Sequence, residues 1–157
     1  MYERVLLAYD GSREGRTALR EGALTARRFG ARVYLLCVVA ESPGVRIGEA
    51  AYAGAVAKAQ DTYVGLFDEA MARLTALGFR PEGKVVTGEP AAEIAAYANA
   101  VKADLVVVGH RKKGLWERWW SGQTGAYLSD HLSCSLLIAR QEVADEAFYR
   151  ELEATEG

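Results

Sequence analysis

The sequence VVVGHRKKG, residues 106–114, decides the fold of this chain, together with SGQTG at residues 121–125. The first stretch starts as an apolar run, ends abruptly at Gly109 and continues into a basic loop. The second is a glycine-rich turn that opens a helix. A strand, a loop and a helix N-terminus in this order form a phosphate-binding arrangement, because free backbone N–H groups and the helix dipole point at the anion.

The composition indicates a single domain without general affinity for nucleic acid or for membranes. The chain has 157 residues, of which 50% are hydrophobic, and a formal net charge of -2. No apolar run approaches the ~20 residues that span a bilayer, and the N-terminus lacks the layout of a signal peptide. Cys37 and Cys134 have no CxxC partner and are typical of small buried hydrophobes. We therefore expect a cytoplasmic protein without a disulfide or a zinc site.

Apolar runs alternate with segments of helical periodicity along the chain. The predicted strands are residues 4–9, 33–39, 83–87, 105–108 and 135–139. The predicted helices follow Ser12, run over 53–77, begin near Pro90 and run over 124–132. This alternation predicts an α/β fold with an open five-stranded parallel sheet, doubly wound, and helices on both faces.

The two ends of the domain carry charge. The first predicted helix contains five arginines, which we interpret as a solvated face: Arg13, Arg16, Arg20, Arg27 and Arg28. We place the domain at residues 1–140 and an acidic tail at 141–157, in which the spacing of the apolar residues is compatible with a helix.

Asp10 and Gly109 each follow a strand, the first and the fourth. In a doubly wound sheet, ligands bind beyond the carboxyl ends of strands where the strand order reverses, and adjacent strands 1 and 4 would bring both residues there. The Asp10 carboxylate could accept a hydrogen bond from a ribose hydroxyl or hold a divalent cation through water. The alternative is that Asp10 caps the following turn together with Ser12.

The loop after Gly109 carries four basic residues against one acid: Arg111, Lys112, Lys113 and Arg118. Cations beside a helix start favour a polyphosphate, whereas the alternative is a solvated basic surface loop. Gly109 and Gly114 have the spacing of a Walker A loop, but the lysine and hydroxyl residue of that motif are missing.

All three tryptophans of the chain, Trp116, Trp119 and Trp120, lie in the same loop. Their functional interpretation is stacking on a base or anchoring of a partner protein. The alternative is that they pack the loop against the domain or form a dimer contact. His110 and His131 form neither a nucleophilic triad nor a metal cluster in the sequence, so we assign no catalytic residue and no metal ligand.

These residues together resemble the universal stress protein family from Val5 to about Arg140. The resemblance rests on five short segments: YDGS at 9–12, LCVV at 36–39, TGEP at 87–90, DLVVVG at 104–109 and SCSLLI at 133–138. It implies the strand order 3-2-1-4-5 and a homodimer formed through the edge of strand five. In one branch of the family it also implies ATP or AMP binding through the pattern G-x2-G-x9-G-[S/T].

The nucleotide pattern is only partly present. Gly109 and Gly122 match its first and third glycines, whereas Lys112 stands at the second glycine and Gln123 at the Ser/Thr position, with Thr124 one place later. A lysine at this position lacks part of the backbone conformational freedom that lets a glycine approach a phosphate closely.

The resemblance implies a site for ATP or AMP, with or without Mg²⁺, in which Asp10 faces the ribose and the backbone near Val38 the adenine. The candidate cofactor-binding residues are Ala8, Tyr9, Asp10, Val38, Gly109, Arg111, Lys112, Gly122, Gln123 and Thr124.

Two functional hypotheses remain. The first is a regulatory, nucleotide-binding stress protein with at most slow hydrolysis. The second is a nucleotide-independent dimeric interaction module with an unknown protein partner, favoured by Lys112, Gln123 and the three tryptophans. A metabolic enzyme is the least favoured, because the sequence contains no legible catalytic set.

Overall fold

The computed structural model describes residues 1–40, 49–110, 123–140 and 142–154, and for residues 49–52 and 123–125 it describes the backbone alone. Its strands form one parallel sheet in the order β3-β2-β1-β4-β5. The strands are β1 (Arg4–Ala8), β2 (Arg32–Ala40), β3 (Glu82–Gly88), β4 (Leu105–Gly109) and β5 (Ser135–Ala139). The helices are α1 (Arg13–Phe29), α2 (Glu49–Ala76), α3 (Pro90–Val101), α4 (Gln123–His131) and α5 (Asp145–Ala154). The predicted α/β fold and strand order are confirmed.

Alternate residues of the central strands bury their side chains on opposite faces of the sheet. On one face Val5 and Leu7 of β1 pack into a core with α1, α2 and α5. On the other face Leu6 and Ala8 pack into a core with α3 and α4. β1 is therefore buried on both faces, which is why it appears in the sequence as a continuous apolar run.

Helix α1 begins and ends where its capping residues predict. Ser12 accepts a hydrogen bond from the backbone N–H of Gly15 at 2.9 Å, which satisfies one of the first-turn donors. Gly30 follows the helix with φ 62° and ψ 29°, a left-handed conformation that glycine adopts without strain. The predicted start after Ser12 is confirmed.

Helix α2 begins at Glu49, several residues before the predicted start near residue 53. Its first described side chains are mostly exposed, and among the side chains described from residue 53 onward only Ala70 and Leu74 are buried. The N-terminal half is rich in alanine, which favours a helix without supplying an apolar stripe. Hydrophobic periodicity could therefore not mark this boundary.

Helix α5 lies against α1 and is held by both packing and charge. Phe148 and Leu152 are buried, with 4% and 7% of their surface exposed. Arg13 pairs with Glu142 at 2.7 Å, Arg28 pairs with Glu151 at 2.7 Å, and Arg20 pairs with Asp145. Arg13 and Arg28 are solvent-exposed, in agreement with the interpretation of a solvated face, and the three ion pairs with the C-terminal segment are an addition that the sequence did not indicate.

Among the described residues, no helix has both the length and the apolar character that a membrane span requires.

Candidate functional site at the carboxyl ends of β1 and β4

Strands β1 and β4 are neighbours, so the residues that follow them meet. Val5, Leu6 and Leu7 pair in register with Leu105, Val106 and Val107. Beyond the paired segment, a narrow cleft of about 10 Å³ is lined by Ala8, Asp10, Ser12, Glu14, Gly15, Val108 and Gly109. The structure thus brings Asp10 and Gly109 to one cleft, which we call the β1–β4 cleft.

Asp10 stabilises the turn between β1 and α1. Its Oδ1 accepts hydrogen bonds from the backbone N–H of Ser12 at 3.0 Å and from the Ser12 hydroxyl at 2.5 Å. Ser12 Oγ in turn accepts from Gly15 N–H at 2.9 Å. The capping alternative for Asp10 is therefore realised, and any ligand contact would be made by a carboxylate whose orientation is already fixed.

Gly109 is required by the close approach of α1. A Cβ atom at this position would lie 2.7 Å from the carbonyl carbon of Glu14 and 3.1 Å from the backbone nitrogen of Gly15. Main-chain atoms cannot move aside as a flexible side chain can, so a larger residue would push α1 away from β4. The glycine has a structural reason that is independent of any ligand.

Ala8 at the end of β1 and Tyr9 directly after it, the two other predicted residues here, differ in where their side chains lie. Ala8 is buried against the core below α3 and α4, and Tyr9 against the core below α1 and α2. The backbone N–H of Tyr9 donates to the Leu36 carbonyl at 2.9 Å. Tyr9 is absent from the described lining of the cleft, and its side chain is only 6% exposed and belongs to the core.

Strand β2 projects past β1 at this end of the sheet. The last residues paired between them are Ala8 and Leu36, whereas β2 continues to Ala40. The edge of Val38 that faces β1 therefore lies beyond the paired part of β1, while its side chain is 2% exposed. Val38 does not line the described cleft, so the predicted contact of its backbone with adenine stays a prediction.

Cys37 lies in the core close to Asp10. Burial, and secondarily the negative charge of Asp10, raise the pKa of the Cys37 thiol to about 12. The thiol stays protonated at neutral pH, so Cys37 cannot act as a nucleophile or as a thiolate ligand. It is a small core residue, in agreement with the prediction.

The described wall of the β1–β4 cleft carries two carboxylates, Asp10 and Glu14. Their charges suit ribose hydroxyls better than phosphate, because like charges repel at short range. Sequence reasoning missed Glu14 and Gly15, although their place in the first turn of the helix after β1 was a usable signal.

The predicted phosphate side of the site lies largely beyond the described residues. Arg111, Lys112 and Gly122 fall outside them, as do Trp116, Trp119 and Trp120. The backbones of Gln123 and Thr124 form the first turn of α4, which starts at Gln123. A helix start carries partial positive charge, so this end of α4 retains the property on which the prediction rested. The roles of these residues stay predictions.

The two histidines have local partners. The backbone N–H of His110 donates to the Ala139 carbonyl at 3.0 Å, which continues the pairing of β4 with β5. The ring of His131 stacks on Tyr127 with centroids 3.8 Å apart, and its Nδ1 lies 2.9 Å from the Tyr127 carbonyl oxygen. His131 therefore interacts with the last turns of α4.

Comparisons with known proteins agree with this architecture. The profile of the universal stress protein family matches residues 1–140. A universal stress protein of Thermus aquaticus, named for the QAH/OAS sulfhydrylase 3′ region, is 29% identical over 140 residues, which cover 89% of this chain and 100% of that protein.

Two solved structures share the fold. A universal stress protein crystallised in complex with cAMP superposes with a TM-score of 0.62 at 24% identity, over 88% of this chain and 97% of that one. A family member from Arabidopsis thaliana with AMP bound gives a TM-score of 0.57 at 20% identity, over 92% of this chain and 94% of that one. Since the family profile spans almost the whole sheet and its helices, this chain belongs to the universal stress protein family.

Proposed function

We propose that this chain is a regulatory stress-type protein that binds an adenine nucleotide, AMP or ATP, in the β1–β4 cleft. The observation that carries the proposal is the meeting of Asp10 and Gly109 at the carboxyl ends of adjacent parallel strands. Open α/β sheets bind ligands at this position. Hydrolysis is at most slow, because the described residues of the cleft include no activated nucleophile.

Each part of the nucleotide has a proposed counterpart. The Asp10 carboxylate, held by Ser12, accepts hydrogen bonds from the ribose hydroxyls. The backbone of Val38, beyond the paired end of β1, meets the adenine edge. The first turn of α4 and the basic side chains of Arg111 and Lys112 bind the phosphates. The cAMP and AMP complexes of the two family members support this class of ligand.

The alternative function is a nucleotide-independent interaction module. The main-chain contact between Gly109 and Glu14 favours it, because this glycine would be retained for packing even if no nucleotide were bound. Lys112 and Gln123, which depart from the nucleotide pattern, point the same way.

The experiment is a titration of the full chain with adenosine, AMP, ATP and cAMP, with and without Mg²⁺. Tryptophan fluorescence and the melting temperature are followed. A ligand at 100 times its Kd should add about 2.7 kcal/mol to the free energy of unfolding. We expect AMP to bind at least tenfold more tightly than adenosine, since the phosphate side is basic. No stabilisation by any nucleotide at millimolar concentration would leave the interaction module as the function.

Two variants locate the site. Asp10→Asn keeps an oxygen that can accept from Ser12 but removes the charge, so AMP affinity should fall about tenfold. Asp130→Asn removes an exposed carboxylate of α4 and should change nothing. Equal affinities of the two variants would place the nucleotide elsewhere.

We also propose that the protein is a homodimer that uses the free edge of the sheet at β5. Leu137 of β5 is only partly buried within one chain. Leu137→Lys should yield a folded monomer on size-exclusion chromatography with light scattering, whereas Val64→Lys, on exposed α2, should leave the dimer intact. A folded Leu137→Lys dimer would exclude β5 as the contact.

A further inference from the structure

A second, larger depression lies on the other side of α1 from the β1–β4 cleft. It is bounded by α1, α2 and the segment 142–149, and it encloses about 690 Å³. Ligand pockets of small molecules measure ~300–1,000 Å³. We call it the α1–α5 groove.

The walls of the α1–α5 groove combine cations with apolar surface. Arg13, Arg16, Arg20 and Arg73 line it. Between them lie Leu74 and Phe148, both buried core residues. A groove of this kind offers an apolar site for a hydrocarbon or aromatic body and guanidinium donors for an acidic group.

Three of the four arginines are already paired with carboxylates. Arg13 binds Glu142, Arg20 binds Asp145, and Arg73 binds Glu69 at 2.5 Å. Within the described part of the chain, no carboxylate forms an ion pair with Arg16. Counted with these three partners, of which Glu142 lines the groove, the four arginines leave one positive charge in excess, that of Arg16.

The groove is also built from a part of the chain that the family profile does not reach. The profile ends at residue 140, whereas Glu142, Val143, Ala144, Phe148 and Tyr149 form one wall. The C-terminal segment converts a side of α1 into a concave surface with its own charge pattern.

From this shape and charge, we propose that the α1–α5 groove binds a small amphipathic monoanion, an acyl or aryl body with one acidic group, with Arg16 binding the acidic group. The site shares no lining residue with the β1–β4 cleft, so it would operate beside nucleotide binding and does not depend on it.

The test uses two fluorescent probes of similar shape and different charge. The anion 1-anilinonaphthalene-8-sulfonate should bind the native full-length chain at one saturable site, and neutral N-phenyl-1-naphthylamine more weakly. Decanoate should displace the anionic probe, whereas decanol should not at the same concentration. Saturating AMP should leave the probe bound, which separates this site from the β1–β4 cleft.

Two arginines of α1 supply a matched pair of variants. Arg16→Gln should weaken the anionic probe at least tenfold and leave the neutral probe unchanged. Arg28→Gln removes an exposed α1 arginine that pairs with Glu151 outside the groove, so it should leave both probes unchanged. Ala144→Phe, which puts a ring into the groove from an exposed position, should weaken both probes. Melting curves verify that each variant is folded.

Several results would overturn the proposal: no saturable binding of the anionic probe, equal loss in Arg16→Gln and Arg28→Gln, equal affinity for the charged and neutral probes, or displacement by AMP. A folded Ala144→Phe variant with unchanged probe binding would also place the probe outside the groove.

Discussion

Phe148 of α5 anchors the C-terminal segment in the core. Its side chain is 4% exposed and packs into the core between the sheet and α1. The Arg20 guanidinium lies 5.3 Å from the centre of its ring. Replacing it with alanine removes an apolar ring, leaves a cavity and deletes this cation–π contact.

The magnitude follows from these contacts. Buried Phe→Ala substitutions cost ~3–5 kcal/mol, and an exposed cation–π contact contributes ~0.5–1 kcal/mol. Because α5 lies at the chain end and can settle into part of the cavity, we expect Phe148→Ala to cost about 3 kcal/mol. Tyr149 is the matched control, since it is 55% exposed and touches Phe148 edge-on at 5.4 Å. Tyr149→Ala should cost about 0.5–1 kcal/mol.

The assay is equilibrium unfolding in urea followed by circular dichroism. With an m-value of about 2 kcal/mol/M, Phe148→Ala should shift the midpoint by about 1.5 M and Tyr149→Ala by less than about 0.5 M. Equal shifts for the two variants would refute the assignment of Phe148 to the core. So would a biphasic wild-type curve with an early loss of helix, because α5 would then undock independently of the domain.

Three further predictions rest on single residues. Lys102 ends α3 with φ 54° and ψ 47°, a left-handed conformation that costs an L-residue ~1–2 kcal/mol. Lys102→Gly should therefore raise the free energy of unfolding by about 0.5–1 kcal/mol, because the greater entropy of glycine in the unfolded chain offsets part of the gain, and a lower stability in urea would contradict this prediction. The pKa of Cys37 is raised to about 12, so the contribution of the buried thiol to stability is complete below the unfolded pKa of about 8.5 and falls by about 1.4 kcal/mol per pH unit above it. Between pH 9 and 11 the free energy of unfolding of the wild type should therefore fall faster with pH than that of Cys37→Ala. Parallel curves for the two proteins would contradict this prediction. The Asp104 carboxylate accepts hydrogen bonds from the backbone N–H groups of Glu3 at 2.7 Å and of Arg4 at 3.1 Å, so Asp104→Ala should lower the free energy of unfolding by ~1–3 kcal/mol. Asp130→Ala, which removes an exposed carboxylate, should change it by less than ~0.5 kcal/mol. Similar melting temperatures for the two variants would show that the hydrogen bonds of Asp104 contribute little.

The strands of the sheet could be predicted because most of them are recognisable in the sequence as apolar runs. The run at 105–108 is apolar, short and bounded by turn residues, so its burial on both faces follows from composition alone. The run at 135–139 has the same pattern, but at the edge of the sheet it is only partly buried. The order of the strands came from the family resemblance, since nothing in an apolar run specifies its neighbour. The start of α2 could not be placed, because an alanine-rich exposed turn has helix propensity but no periodicity.

The site was predictable only where it depends on topology. Asp10 and Gly109 were brought together because both follow adjacent parallel strands. The contact of Gly109 with the Glu14 main chain could not be foreseen, since it depends on how closely α1 crosses β4. The ion pairs of Arg13, Arg20 and Arg28 with the C-terminal segment were equally hidden. Exposed charges separated by more than 120 residues leave no pattern that distinguishes a partner from solvent.

The central position of β1 has a consequence for how the chain folds. Val5 pairs with Val33 on one side and with Leu105 on the other. By the scaling of loop-closure entropy with length, the second pairing costs about 1 kcal/mol more than the first. A chain emerging from the ribosome can assemble β3, β2 and β1 as soon as residue 88 is available. It must then keep one side of β1 unpaired until β4 is synthesised, so this apolar strand is a temporary sheet edge that can pair with another chain during biosynthesis.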